Sequence, residues 1–391
     1  MSAPPLSAIG EQVDSVSSWT PERDAPDGMF TYVDLSAVDQ DAKVVSGARE
    51  LACAEAPSRA RQLIRAGDVL VSTVRPNLNG VALVPPELDG ATASTGFCVL
   101  RPRASQLDAR YLYQWVKSPR FVSDMVRKAT GASYPAVSDR IVCESKLPLP
   151  PLPEQRRIAE ILDKADALRA KRRAALAQLD TLTQSIFLDM FGDPATNPKG
   201  WPVRAFGQIC RTQLGKMLDQ KQQTGEHKRP YLRNANVQWF RFELTSVLEM
   251  DFDDADRERF RLQSGDLLIC EGGEPGRAAV WRGAIDECYF QKALHRARPS
   301  PTLASPDYLA WLLWFLAQRG KLSGVTSATI AHLTGEKLAV LPTMLPPLTL
   351  QAEFTSRLAA IECIRTGHLD TLANHDSLFG ALQHRAFQGE L

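Results

Sequence analysis

The chain has 391 residues, 44% of them hydrophobic and 23% charged, with a formal net charge of +1. Such a composition builds two or three cored globular domains. It excludes a global basic field for non-specific nucleic-acid binding, and a longest apolar run of ten residues, Tyr308 to Ala317, excludes a helical membrane span.

The start, Met1-Ser2-Ala3-Pro4-Pro5, lacks a basic residue and an apolar core, so no secretory signal is expected. Seven scattered cysteines without a Cys-x-x-Cys pair fit neither a zinc site nor a disulfide framework, and a reduced cytoplasm is expected. Residues 1–150 read as a first globular domain. Gly67-Asp68 is a turn that opens a buried strand, Val69-Leu70-Val71. Arg75-Pro76-Asn77-Leu78-Asn79-Gly80 is a polar loop offering Arg75, Asn77 and Asn79. Tyr111 to Val116 reads as a helix with Trp115 in its core face, followed by the hydroxyl-rich loop that carries Lys128, Ser133 and Tyr134.

Residues 151–192 form a long amphipathic helix. From Glu154 the apolar residues Ile158, Ile161, Leu162, Ala165, Leu168, Ala175, Leu176, Leu179, Leu182 and Ile186 recur at helical spacing. Pro153 suits a first helical turn and Gly192 a stop, which gives 39 residues or about 58 Å at ~1.5 Å per residue. The run Arg169-Ala170-Lys171-Arg172-Arg173 reads as a solvated face. A Gly/Pro-rich linker, 193–200, leads to a second domain over 201–345. There Gly265-Asp266 opens another buried strand, and Tyr308 to Leu316 is a second core helix with Trp311, Trp314 and Phe315. Arg and Asn side chains bond bidentately to guanine and adenine edges. Arg229, Tyr231, Arg233, Asn234, Asn236 and Arg277 are therefore candidates for base reading, with Lys216 a further one. Gly324 to Thr329 is the counterpart of the earlier hydroxyl-rich loop. Residues 346–391 form a second long helix with Thr349 as its N-cap and Phe354, Leu358, Ile361, Ile364, Leu369, Leu372, Leu378, Phe379 and Leu382 along one stripe.

The chain is thus written twice. Pro150-Pro151-Leu152-Pro153-Glu154-Gln155 returns 196 residues later as Pro346-Pro347-Leu348-Thr349-Leu350-Gln351, and the Gly-Asp turns repeat at 198. This period is far beyond the about 20–50 residues of a solenoid and marks duplication of a whole domain with its helix. The expected fold is α+β (mixed α/β): two globular domains separated by two long antiparallel helices in a coiled-coil spacer, related by a pseudo-two-fold internal repeat. No phosphate-cradling loop, His-Glu-x-x-His, nucleophile elbow or kinase signature is present. Glu144-Ser145-Lys146 lacks the paired aspartate of a nuclease. Asn197-Pro198-Lys199-Gly200 lacks the second proline and aromatic of an amino-methyltransferase motif. No catalytic and no metal site is expected. The residues leave two readings open, a DNA-recognition subunit and a coiled-coil adaptor that binds only proteins.

The duplicated Pro-Pro-Leu-x-x-Gln start, the helix end Ser185 to Gly192 with its echo Ala386 to Leu391, and Gly200-Trp201-Pro202-Val203 resemble the specificity subunit of type I restriction–modification systems over nearly the whole chain. The resemblance implies two target recognition domains, each reading one half of a bipartite, asymmetric DNA site. It implies helices that set the gap and dock two methyltransferase subunits, with Pro153, Glu154, Gln155, Ile158, Leu348, Gln351 and Phe387 as docking residues. S-adenosylmethionine is expected in those partners, which a motor–nuclease subunit can join, and a role in antiphage defence follows. The second copy departs from the pattern at Thr349-Leu350, which bears on whether the two docking sites are equally strong.

Overall fold

The computed structural model describes residues 4–218, 224–322 and 332–391. The chain forms two units, Met1–Ala175 with His368–Leu391, and Leu176–Gly367. Each unit joins one globular half with the start of its own long helix and the end of the other.

In the first unit, Leu6–Ala8 pairs antiparallel with Lys146–Pro148 and so ties the two ends of the globular half together. Between them lie two four-stranded sheets. One has the order Arg49–Ala52, Met29–Val33, Thr92–Ser94, Ala60–Leu63; the other is Val13–Asp14, Phe97–Pro102, Val69–Ser72, Val81–Leu83. The second unit repeats the plan: Val203–Ala205 pairs with Pro342–Met344, and a four-stranded sheet runs Cys210–Leu214, Leu294–Pro299, Leu267–Cys270, Ala278–Val280. Beside it lies a sheet of Leu248–Asp251, Lys228–Leu232 and Tyr289–Phe290. The expected α+β composition is what the structure shows.

The duplication holds at the level of single hydrogen bonds. Gly67 and Gly265 both adopt positive φ, at 87° and 94°, which glycine alone takes readily. The aspartate after each is buried, Asp68 and Asp266, and accepts a backbone bond at 2.8 Å from Arg65 or Gln263. A buried carboxylate is costly unless paired, and each has its arginine: Arg101 with Asp68 at 2.7 Å and Arg298 with Asp266 at 2.6 Å. The core helices are Ala109–Val116, capped by Asp108, and Pro306–Gln318, capped by Ser305. Each starts two residues before the sequence-based expectation because the cap lies further upstream. Trp115, Trp311 and Phe315 are buried in the two cores, as expected. Tyr111 donates to Pro148 O at 2.8 Å and Tyr308 to Met344 O at 3.0 Å; burial pushes both phenols above their usual pKa.

The long helices span Leu152–Phe191 and Leu348–Gln388. The first stops at Gly192 with φ 81°, its N–H bonding Leu188 O at 2.8 Å, the left-handed C-terminal cap expected there. Thr349 lies inside the first turn of the second helix, so its expected N-cap role is corrected. Within the first unit the two helices run antiparallel, with Arg157 bonding Leu391 O and Arg169 pairing with Asp376 at 2.6 Å. Each helix also buries its start in its own globular half: Ile158, Ala159, Leu162 and Ala165 join Tyr111 and Trp115 in one core. In the second unit Phe187 makes ring contacts with Phe191, Tyr308, Phe315 and Phe354. The apolar stripe is broader than these contacts use, and Leu168, Leu182, Ile364, Leu369 and Leu378 stay about half exposed. The basic run is a solvated face only in part: Lys171 and Arg173 are exposed, while Arg169 and Arg172 are half-buried. Arg169 bridges Asp166 and Asp376, Arg172 contacts His368 Nδ1 at 2.7 Å, and Arg173 reaches Asp376 at 3.4 Å. No described helix is long and apolar enough to cross a membrane.

Candidate nucleic-acid interface

In the first unit the loop between Val69–Ser72 and Val81–Leu83 carries Arg75, Asn77 and Asn79. Thr73 fixes its base, its N–H and hydroxyl both donating to Gly96 O at 2.9 Å. Arg75 N donates to Pro135 O at 2.7 Å, and Val74 bridges Ala136, so this loop and the 130–136 loop form one surface. The second loop is closed on itself by reciprocal 2.9 Å bonds between Thr130 and Ala136. A short turn, Pro76–Leu78, is flanked by left-handed Arg75 (φ 50°, ψ 62°) and Asn79 (φ 46°, ψ 55°). Asparagine tolerates that region; for arginine it costs on the order of 1 kcal/mol, a strain typical of binding loops. The strain aims the Arg75 guanidinium over the Tyr134 ring, 4.9 Å from its centroid, while Tyr134 is 68% exposed. Arg75, Asn77, Ser133 and Tyr134 are all exposed and together. Asn79 is half-buried, its carbonyl accepting from Lys43 at 2.6 Å. Lys128 ends the adjoining helix, Pro119–Lys128, and pairs with Asp124 at 2.7 Å, beside the Arg127–Asp124 pair at 2.5 Å.

The same hairpin in the second unit lies between Leu267–Cys270 and Ala278–Val280. Gly273 has φ 75°, and a Cβ there would fall 2.9 Å from Asn234 Nδ2, so glycine lets the Asn234 loop approach. Asn234 Nδ2 donates to Gly272 O at 2.7 Å, while Arg277 donates to Asn234 O at 3.1 Å and pairs with Glu274 at 3.3 Å. Trp239 Nε1 donates to Glu274 at 2.5 Å. Glu274 and Arg277 therefore occupy the place that Arg75 and Asn77 hold in the first unit, while Asn234, its Nδ2 spent on Gly272 O and its Oδ1 accepting from Arg277 at 3.4 Å, braces the hairpin from the adjoining turn.

The other candidates of this half are placed differently. Tyr231 is buried among Met250, Phe252 and Trp281. Asn236 is fully buried and spends its amide on Arg233 N at 2.9 Å and Glu243 O at 2.8 Å. Lys216 is held by Asp256 and by Asp251 O at 2.7 Å. These three build the loops and do not present a face to a base edge, which corrects their expected role. Arg233 reaches back to Ser246 O at 2.9 Å, and Arg229 sits at the far end of its strand beside Glu287. The Gly324–Thr329 loop lies outside the described residues. Glu274 is absent from the sequence-based candidates for base reading, none of which is acidic. The signal was there, since its hairpin aligns with the Arg75 loop and a carboxylate accepts from cytosine N4.

Among the docking residues, Gln155 is fully buried and makes three bonds, accepting from Asp108 N at 2.9 Å and donating to Gln106 O at 3.0 Å and Pro150 O at 2.8 Å. Gln351 repeats them with Ser305 N at 2.8 Å, Leu303 O at 3.1 Å and Pro346 O at 2.9 Å. Ile158 is in the core, and Phe387 packs edge-on against Tyr111 and Trp115 at 5.5 and 4.9 Å. Gln155, Ile158, Gln351 and Phe387 therefore fasten the long helices to the globular halves, a correction to their expected surface role. Pro153 and Leu348 are exposed, and Glu154 is half-exposed and salt-bridged to Arg157 at 2.8 Å. Among the described residues no group of three His, Cys, Asp or Glu side chains is placed to hold a metal ion.

Residues 63–178, which include the Arg75 loop, Tyr134 and Gln155, match the family model of the type I restriction modification DNA specificity domain. The chain is 28% identical over 129 residues to the type I restriction enzyme EcoDI specificity subunit of Escherichia coli, an overlap of 32% of this chain and 28% of that protein. It is 22% identical to the EcoKI specificity subunit of Escherichia coli strain K12, over 75% of this chain and 68% of that one. A solved chain, described in terms of complex assembly and conformational transition of the type I R-M system, covers 100% of this chain and 98% of its own length at a TM-score of 0.64 and 26% identity.

Proposed function

The chain belongs to the specificity subunits of type I restriction–modification systems, and from that premise we propose that its two units read the two halves of a bipartite, asymmetric DNA site. The observation that supports this reading is the shared hairpin with different furniture. Arg75, Asn77 and Tyr134 present one chemistry, while Glu274 and Arg277 present another, on the same hydrogen-bonded frame. Arg and Asn address purine edges and Glu addresses cytosine, so the two sets select different tracts. The chain supplies recognition, and adenine methylation belongs to two partner methyltransferase subunits carrying S-adenosylmethionine.

The long helices dock those partners and set the gap between half-sites. Inserting or deleting residues in the first long helix is then expected to change the gap and leave both half-sequences as they were, read by mapping methylated adenines. Altered half-sequences at an unchanged gap would contradict it. The half-exposed apolar residues that neither core absorbs supply the docking contact. Ile364→Asp is expected to change unfolding stability by no more than ~0.5 kcal/mol while abolishing co-purification of the methyltransferase. Retained co-purification would remove this stripe from the interface.

A further inference from the structure

The sheet of the second unit that holds Tyr231 also holds Tyr289, which pairs with it in parallel register. Tyr289 is completely buried and stacks on Phe252 at 4.3 Å, yet its hydroxyl has no hydrogen-bond partner. An unsatisfied buried hydroxyl is destabilising by itself. Three arginine charges act on it. Arg229 comes from the neighbouring strand, Arg257 from the helix Asp254–Phe260, and Arg261 from just after that helix. The Nε of Arg257 is buried without a hydrogen-bond partner, and the buried Nε of Arg229 has only Glu287, at 3.4 Å. The nearby carboxylates do not saturate this cluster. Glu287 stands between Arg229 and Arg261 at 3.4 and 3.8 Å, longer than a good charge-assisted bond, and Asp254 meets Arg257 at 3.5 Å from full exposure. Burial keeps the Tyr289 phenol above its ordinary pKa, so it stays a proton donor at neutral pH.

The first unit supplies an internal control. Its equivalent of Tyr289 is Thr92, paired with Tyr32 as Tyr289 is with Tyr231. There the hydroxyl accepts from Trp19 Nε1 at 2.9 Å, and Phe30 stands where the second unit has Arg229, packed edge-on against Trp19 at 5.9 Å. One copy of the scaffold closes this place with aromatics. The other leaves an unused donor under the charge of three arginines and Glu287.

We propose that Arg229, Arg257, Arg261 and the Tyr289 hydroxyl form a binding site for a phosphodiester oxyanion of the DNA backbone, a contact made by the second unit and absent from the first. It rests on the DNA-recognition reading above and adds a phosphate clamp apart from the base-reading hairpin. From Arg229 to Asn234, which braces the hairpin, the chain travels at most about 17 Å at ~3.3 Å per residue. A loop reading a major groove about 12 Å wide has flanking phosphates at that order of distance. A planar guanidinium and a phenol O–H both donate well to phosphate oxygens.

The test uses the assembled methyltransferase complex on duplexes with and without its own methylation motif. Tyr289→Phe removes only an unsatisfied hydroxyl, so a purely structural role predicts unchanged or higher thermal stability and unchanged binding. The site predicts unchanged or higher stability with roughly tenfold weaker binding on both duplexes alike. Arg257→Ala is expected to reduce the slope of log K against log salt by about 0.9. A single neutral methylphosphonate beside the half-site of the second unit should reproduce the loss in the natural complex and add nothing in Arg257→Ala. Binding and salt slope unchanged in both variants would overturn the site while leaving DNA recognition intact. Competition by inorganic phosphate with no methylphosphonate effect would overturn the backbone assignment. Failure of the natural complex to bind either duplex would overturn the recognition reading, and this site with it.

Discussion

Gln155→Ala is expected to destabilise the protein by about 3 kcal/mol in urea unfolding, and Gln351→Ala by a similar amount. Each glutamine is fully buried and satisfies one backbone N–H and two carbonyls. Truncation leaves one buried and two part-buried polar groups without partners, and each costs on the order of 1–3 kcal/mol less whatever water recovers. The groups it orphans are also structural junctions: Asp108 and Ser305 cap the core helices, while Pro150 and Pro346 begin the turns into the long helices. Loss of the bonds therefore loosens each long helix from its globular half. A stability change under ~0.5 kcal/mol combined with lost methyltransferase binding would contradict this account and return both residues to the partner surface.

Arg75→Ala is expected to weaken binding of the cognate site by tenfold to a hundredfold, corresponding to about 1–3 kcal/mol for one bidentate base contact, and to relax the sequence at one position of one half-site. Glu274→Ala should do the same in the other half only. The asymmetry follows from the geometry, since Arg75 is held by Pro135 and Tyr134 and Glu274 by Trp239 and Arg277, each within its own unit. Methylation of randomised sites by each variant complex reads the outcome directly. Relaxation of both halves by either substitution would mean that these hairpins do not read separate tracts.

The duplication was legible because it is spelled in residues whose chemistry admits few substitutes. Gly67 and Gly265 need positive φ, Asp68 and Asp266 need a paired arginine, and Gln155 and Gln351 need both a donor and an acceptor end. The long helices were legible from spacing and from the Gly192 stop. What spacing could not say was where a polar side chain points. Asn236 and Asn234 are two residues apart and equally suited to an adenine edge, yet one is consumed by its own loop and the other by the neighbouring hairpin. The amide that bonds a base bidentately also bonds a backbone bidentately. Arg169 reads as part of a solvated run because Asp376 lies 207 residues further on and no local pattern announces it. The repeated Pro-Pro-Leu-x-x-Gln was read as a partner motif, and its glutamine turned out to be an internal fastening.

The central claim is that this chain gives a methyltransferase its sequence. The measurement that tests it most directly is a genome-wide map of methylated adenines in the host, with the gene present and deleted. The account predicts that deletion removes methylation from one split motif, two unlike short tracts at a fixed gap, and that restoring the chain restores it. An identical map in both strains, while the methyltransferase partners are expressed, would contradict it.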